Sequence, residues 1–200
     1  MRPVAGAVAA LTIVLAAACG GAGAPTATPS PSAPPTAARA TVAPPRTAAP
    51  ACTIAASTAP ATRAIIELEK GGTITFTLRA DKAPKTVANF ANIARSGCYN
   101  GLMFHRVVAN FVVQGGDPQG TGSGGGTQPA EYNDLPFVKG AVGIARGNDK
   151  AINNAYQFYI CIGDCRFLDG EYTNFGLVTA GQELADGVKV GDKIKSVKVE

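Results

Sequence analysis

The chain has no tryptophan, one histidine and, between Gly20 and Pro60, no acidic residue. Each scarcity removes a class of function. A lone imidazole, His105, cannot build a multi-histidine zinc site and leaves a general-base scheme one candidate. No Gly-x-Ser-x-Gly elbow accompanies it, so a Ser–His–Asp hydrolase has no nucleophile to offer. The apolar run from Val4 to Ala18 is short of the roughly 20 residues a membrane span needs and matches the core of a signal peptide. Of 18 Lys/Arg, Arg2, Arg39 and Arg46 precede residue 61, leaving 15 against 14 Asp/Glu in the remainder. The net charge of +4 therefore reflects an acid-free leader and not a basic face, and no nucleic-acid partner is expected.

What the chain does have is uneven. Ten of its 14 prolines fall in the first 60 residues, so a Pro/Ala-rich leader is joined to a globular body over 61–200. Residues 1–18 read as an export signal: Arg2, an apolar core, then the small residues Ala16-Ala17-Ala18. Cys19 follows at once and resembles the lipidated cysteine of bacterial lipoproteins, which would anchor the protein to a cell membrane on its extracytoplasmic face. Ordinary signal-peptidase cleavage is the alternative. From Gly20 to Pro60, 33 of 41 residues are Pro, Ala, Thr or Ser, too little apolar area to offset chain entropy, so residues 19–60 read as a disordered tether stiffened by proline.

Five cysteines are an odd number, and assigning Cys19 to lipid leaves Cys52, Cys98, Cys161 and Cys165 for disulfides in an oxidising compartment. Three pairings exist. Closeness in sequence favours Cys161 with Cys165, leaving Cys52 with Cys98 to clip the tether onto the body. The spacing lacks the paired Cys-x-x-Cys of a zinc site, and no metal is expected.

The body opens with two alternating runs, Ala64 to Lys70 and Thr73 to Arg79, split by Gly71-Gly72, which predicts a hairpin. Pro84 leads into Val87, Phe90, Ala91, Ile93 and Ala94, with Gly97 behind, the spacing and punctuation of a helix. Six short strand-like blocks follow, at 103–108, 111–113, 141–145, 157–162, 172–178 and 194–199, with one more short helix predicted near Gln182 to Asp186. Strands that do not alternate with helices exclude a parallel α/β fold, and a closed antiparallel barrel with a helix covering an end is the economical architecture. Gly120-Thr121-Gly122-Ser123-Gly124-Gly125 matches Gly-x-Gly-x-x-Gly, but no helix follows, so it reads as a mobile surface loop and not a nucleotide site.

The densest segment is Phe104-His105-Arg106-Val107-Val108-Ala109-Asn110-Phe111-Val112-Val113-Gln114-Gly115-Gly116-Asp117. In a strand, Arg106 shares a face with Val108, mounting a cation among apolar side chains, a costly placement that either a structural ion pair or a functional site would explain. The segment is similar to the signature of the cyclophilin-type peptidyl-prolyl cis-trans isomerases. Gln157-Phe158-Tyr159-Ile160, then Phe167-Leu168-Asp169-Gly170 and Phe175-Gly176, resemble that family's second signature.

The resemblance covers about Ala64 to Val199. It implies a mainly β fold, a closed eight-stranded antiparallel barrel capped by two helices, with a proline-binding groove on its outside. It implies Arg106 as the catalytic arginine, with Phe111, Val112, Tyr159, Phe167 and Leu168 around the proline ring. Gln114 and Gln157 would supply polar contacts, Ala145 and Arg146 would meet an extended peptide, and Tyr172 stands where histidine is frequent. His105 counts among the substrate-binding positions by its place beside Arg106, although a buried supporting role suits it better. No cofactor is implied. Expected partners are proline-containing peptides and folding exported proteins, met by a monomer, and a non-catalytic proline-binding module or holdase on the same barrel is the alternative.

Overall fold

The computed structural model describes residues 41–42 and 52–200; the expected signal segment and Cys19 lie outside the described residues. Two residues of the leader form β1 (Thr41–Val42). The body then runs β2 (Arg63–Leu68), β3 (Thr73–Leu78), α1 (Pro84–Arg95), β4 (Phe104–Val108), β5 (Val112–Gly115), β6 (Thr127–Pro129), β7 (Ala141–Ile144) and β8 (Ile152–Asn154). It ends with β9 (Phe158–Cys161), a 3-10 turn at Arg166–Leu168, β10 (Asn174–Ala180), α2 (Gln182–Asp186) and β11 (Ile194–Val199).

Local chemistry accounts for the first elements. β2 and β3 alternate buried and open positions, and Gly71 and Gly72 both take positive φ (93° and 87°) in the turn between them, a conformation the twist of a tight hairpin demands. In α1, Pro84 occupies the first turn, where its missing N–H costs nothing, and the free amides of Lys85 and Thr86 donate to the Glu131 carboxylate at 3.0 and 2.7 Å. One face of α1 buries Val87, Phe90, Ala91, Ile93 and Ala94. Phe90 is the hub of that contact, with ring centroids 5.2–5.8 Å from Phe76, Tyr99, Phe158 and Phe175.

Nine strands form one curled antiparallel sheet in the order β1-β4-β5-β9-β7-β10-β3-β2-β11, and β6 pairs with β8 in a small second sheet. The expected closed eight-stranded barrel is corrected in two respects. The ninth strand, β1, comes from the leader. The ends of the sheet meet only near the start of β4, through the Met103–Lys193 bridge and the backbone bonds Phe104 N to Asp192 O (2.9 Å) and Gly191 N to Phe104 O (3.0 Å). The remaining eight strands and both helices are those anticipated, whereas β6 and β8, only three residues each, carried no sequence signal. Among the described residues no helix is long and apolar enough to cross a membrane.

The sheet has a packed cluster on each face. Inside lie Phe104, Val113, Val142, Ile144, Phe158 and Ile160 with the helices; outside lie Val108, Val112, Phe137, Ala141, Tyr159, Cys161, Cys165 and Leu168. Cys52 and Cys98 form a disulfide across 46 residues. In the chain-entropy limit, closing such a loop disfavours the unfolded state by about 4 kcal/mol. Residues beyond Cys52 then lie along α1: Ala55 N donates to Ser96 Oγ (2.9 Å), Ser57 N to Asn92 Oδ1 (3.1 Å), and Arg95 to the carbonyls of Ala59 and Pro60.

The expected Cys161–Cys165 bond is absent, and both are buried free thiols. Cys165 Sγ donates instead to Phe111 O at 3.4 Å. The Cys161 thiol is held far above its ordinary pKa by its hydrogen bond with Cys165 and then by burial, which keeps it protonated and unreactive.

Candidate functional site

A strict period of two along β4 would put Phe104 and Arg106 on one face. The register shifts between them: Phe104 pairs with Gly115, and Arg106 with the next residue of β5, Gln114, so His105 is an extra residue in the strand. This bulge lets Phe104 fill the core while Arg106 emerges on the outer face. There it heads a row running straight across the sheet, because residues directly opposite in antiparallel strands share a face. Arg106 faces Gln114, Gln114 faces Tyr159 on β9, and Tyr159 faces Gly143 on β7.

The row is tied by a chain of hydrogen bonds. Arg106 Nη1 donates to Gln114 Oε1 (3.2 Å), Gln114 Nε2 to Gln157 Oε1 (2.9 Å), and Gln157 Nε2 to Gly124 O (2.8 Å). Each amide accepts at its oxygen and donates at its nitrogen, so one direction of flow fixes the orientation of all three side chains. Arg106 has no carboxylate partner among the described residues. Burial lowers its pKa from the ordinary arginine value while Tyr172 acts in the opposite sense, and it stays charged at neutral pH.

Two hollows flank Gln114. The smaller, about 240 Å³, is lined by Arg106, Phe111, Val112, Tyr159, Leu168 and Tyr172, together with Gln114, Ala145 and Arg146. The larger, about 450 Å³, shares Gln114, Ala145 and Arg146 and adds Gln157, the glycine segment and Asn148 to Asp149. Arg146 stands between them, its guanidinium 4.3 Å from the Tyr172 ring centroid and its Nε and Nη1 donating to Glu171 O and Gly147 O, both at 3.0 Å. Tyr159 is only 4% exposed, and Phe137 stacks on it at 6.0 Å. Its hydroxyl has no partner among the described residues, and burial raises its pKa well above the ordinary phenol value.

Most of the anticipated residues meet here, and two do not. His105 is 1% exposed, lies beneath the glycine segment and lines neither hollow, and among the described residues neither ring nitrogen has a hydrogen-bond partner. Burial holds its pKa below the ordinary value, against the opposing charge of Asp117. Phe167 is 58% exposed and packs on the Phe111 ring at 5.1 Å, forming a rim and not a pocket wall.

The glycine segment is also not the free loop expected from composition. Asp117, 1% exposed, accepts from the amides of Gln119 (2.8 Å), Gly122 (2.6 Å) and Gly124 (3.4 Å), and a Cβ on Gly124 would strike the Asp117 carboxylate. Burial works against the charge of Asp117, but these donors outweigh it and keep its carboxyl below the ordinary value. Asp117, Gly124, Phe137 and Gly143 thus shape the site without having been assigned a role in it. Only Asp117, at the end of the signature segment, offered a signal.

Comparison with known proteins identifies the family. Residues 64–200 match the family described as cyclophilin type peptidyl-prolyl cis-trans isomerase/CLD. A peptidyl-prolyl cis-trans isomerase of Helicobacter pylori is 42% identical over 141 residues, covering 67% of this chain and 85% of that protein. Peptidyl-prolyl cis-trans isomerase B of Bacillus subtilis is 42% identical over 135 residues, covering 66% of this chain and 94% of that protein. A cyclophilin-type isomerase structure from Cryptosporidium parvum, crystallised in the presence of the dipeptide Ala-Pro, superposes with a TM-score of 0.64 at 27% identity, covering 69% of this chain and 98% of that one. The chain belongs to the cyclophilin-type peptidyl-prolyl cis-trans isomerases. It is an enzyme of that class, and the non-catalytic alternative is set aside.

The row makes one residue without a side chain decisive. A Cβ at Gly143 would overlap the Tyr159 ring. Gly143→Ala is expected to drive that ring into the smaller hollow and lower kcat/KM by about tenfold or more. Tyr159→Phe, which removes only the unpartnered hydroxyl, is expected to keep activity within about twofold and leave thermal stability unchanged or raised. Near-normal activity of Gly143→Ala would contradict this account of the ring's position.

Proposed function

We propose that the smaller hollow receives the proline ring of an extended peptide and that Arg106 is the catalytic residue. The observation that carries this reading is a charged guanidinium, without a carboxylate partner among the described residues, held by a neutral amide at the border of a hollow whose walls include Phe111, Val112, Tyr159 and Leu168. Among the described residues only Nη1 is engaged, and Arg106 lines the smaller hollow.

Rotation about an Xaa–Pro bond is slow because the nitrogen lone pair is conjugated with the carbonyl, a barrier of about 18–20 kcal/mol. In the twisted transition state the lone pair localises on nitrogen and becomes an acceptor. A guanidinium beside it donates a hydrogen bond that the planar ground state cannot receive, so the transition state alone is stabilised. No proton moves and no covalent intermediate forms. A ten-thousandfold acceleration needs about 5–6 kcal/mol, of which one preorganised donor in a dry site supplies about 3–4. The remainder comes from desolvating the imide against Phe111, Tyr159 and Leu168, and from gripping the flanking residues so that one side turns against a fixed other.

We place the work of the enzyme outside the cytoplasm, on exported proteins rich in Xaa–Pro bonds, with Cys19 lipidated and the leader as a spacer from the membrane. The apolar run 4–18, the residues before Cys19 and the Cys52–Cys98 disulfide support this reading.

Exchange spectroscopy by NMR on an Ala-Pro tetrapeptide tests the catalytic part. Arg106→Ala in the full chain is expected to fold normally and to lose at least about tenfold in catalysed exchange, 1.4 kcal/mol of transition-state stabilisation. An unchanged rate would remove Arg106 from the mechanism. For the anchor, Cys19→Ser is expected to shift the protein from the membrane fraction to the soluble one, and an unaltered distribution would overturn it.

A further inference from the structure

The sheet closes only at the beginning of β4, where the turn before β11 bonds to Phe104. Past that point the outer edge of β4 is a seam, and what fills it is not another body strand but β1, two residues of the proline-rich leader. Thr41 pairs with Val107 and Val42 with Arg106, antiparallel. Val42 therefore extends the row of Arg106, Gln114 and Tyr159 by one strand and shares their face of the sheet.

Little holds this strand in place. It has two residues, both exposed, with Val42 at 52%, so little apolar burial holds it. Its occupancy rests on local concentration: nine residues separate Val42 from Cys52, which the disulfide fixes to Cys98, a reach of at most about 35 Å. A bare strand edge beside a peptide groove is a template for any extended backbone, and recognition through main-chain hydrogen bonds makes no demand on sequence.

We propose that the seam along β4 is a second docking element for unfolded polypeptide. The flank of a chain whose proline occupies the groove adds to β4 as a strand, and the leader segment Thr41–Val42 is its competitor in cis. The inference rests on the groove reading above and deepens it: long, unfolded chains are the favoured substrate class, and the leader sets their apparent affinity. Short peptides that fill only the groove are indifferent to it.

The test compares the full chain with its Thr41→Pro/Val42→Pro variant, in which neither leader residue can donate to the ladder. The substrates are an Ala-Pro tetrapeptide and a peptide of about 20 residues carrying the same Ala-Pro centre within extended flanks; the readout is KM from NMR exchange. The variant is expected to lower KM for the long peptide by about threefold or more while changing that for the tetrapeptide by less than about twofold. A Thr41→Gly/Val42→Gly variant, which weakens the strand without proline, is expected to act in the same direction. An unchanged or raised KM for the long peptide, with the tetrapeptide still turned over, overturns the seam proposal alone. Failure of the wild type to turn over either peptide overturns the groove reading on which it stands.

Discussion

The extra residue at His105 is the constraint from which the site follows. Without it, β4 would keep its period of two, and either Phe104 would leave the core or Arg106 would be driven into it. The bulge separates these demands: a ring on the inner face and a guanidinium on the outer, two residues apart. Burying His105 with both nitrogens unpartnered is a cost that falls on this same residue. Natural sheets tolerate such a cost where re-aiming a side chain is what function requires.

Once Arg106 faces outward, antiparallel register does the rest. Opposite positions on β5, β9 and β7 deliver a hydrogen-bonding amide, an aromatic ring and a glycine, and each suits its neighbour. The glycine leaves room for the ring, and the amide holds the arginine without neutralising it. A carboxylate in place of Gln114 would pair with the guanidinium and oppose the transfer of its donors to a weak acceptor. The chain of amides ends at Gly124 O, so the glycine segment, fixed by Asp117, becomes the far support of Arg106.

Much of this was legible in the sequence. Gly71-Gly72 marked the first hairpin, Pro84 and Gly97 bounded α1, and the motif resemblance gathered Arg106, Gln114, Gln157 and Tyr159 before any coordinate did. What escaped was non-local. The bulge depends on register against β5, which alternation within β4 cannot report. The glycine segment looked mobile because its order comes from one carboxylate accepting three amides across a turn. Cys161 and Cys165 looked like disulfide partners because they are close in sequence, but both are free buried thiols, Cys165 donating to Phe111 O. Thr41 and Val42 sit in a composition that argues for disorder, and what orders them is an open edge more than 60 residues further along the chain.

On the proposed reading, Arg106 is catalytic and the Gln114–Gln157 chain that holds it acts with it as one unit. A double-mutant cycle on kcat/KM tests this directly, using Gln157→Leu in the wild-type and Arg106→Ala backgrounds. The account predicts a loss of about tenfold in the first background and almost none in the second, because a misplaced arginine can be lost only once. Equal losses in both backgrounds would mean that Gln157 contributes independently of Arg106, and would contradict it.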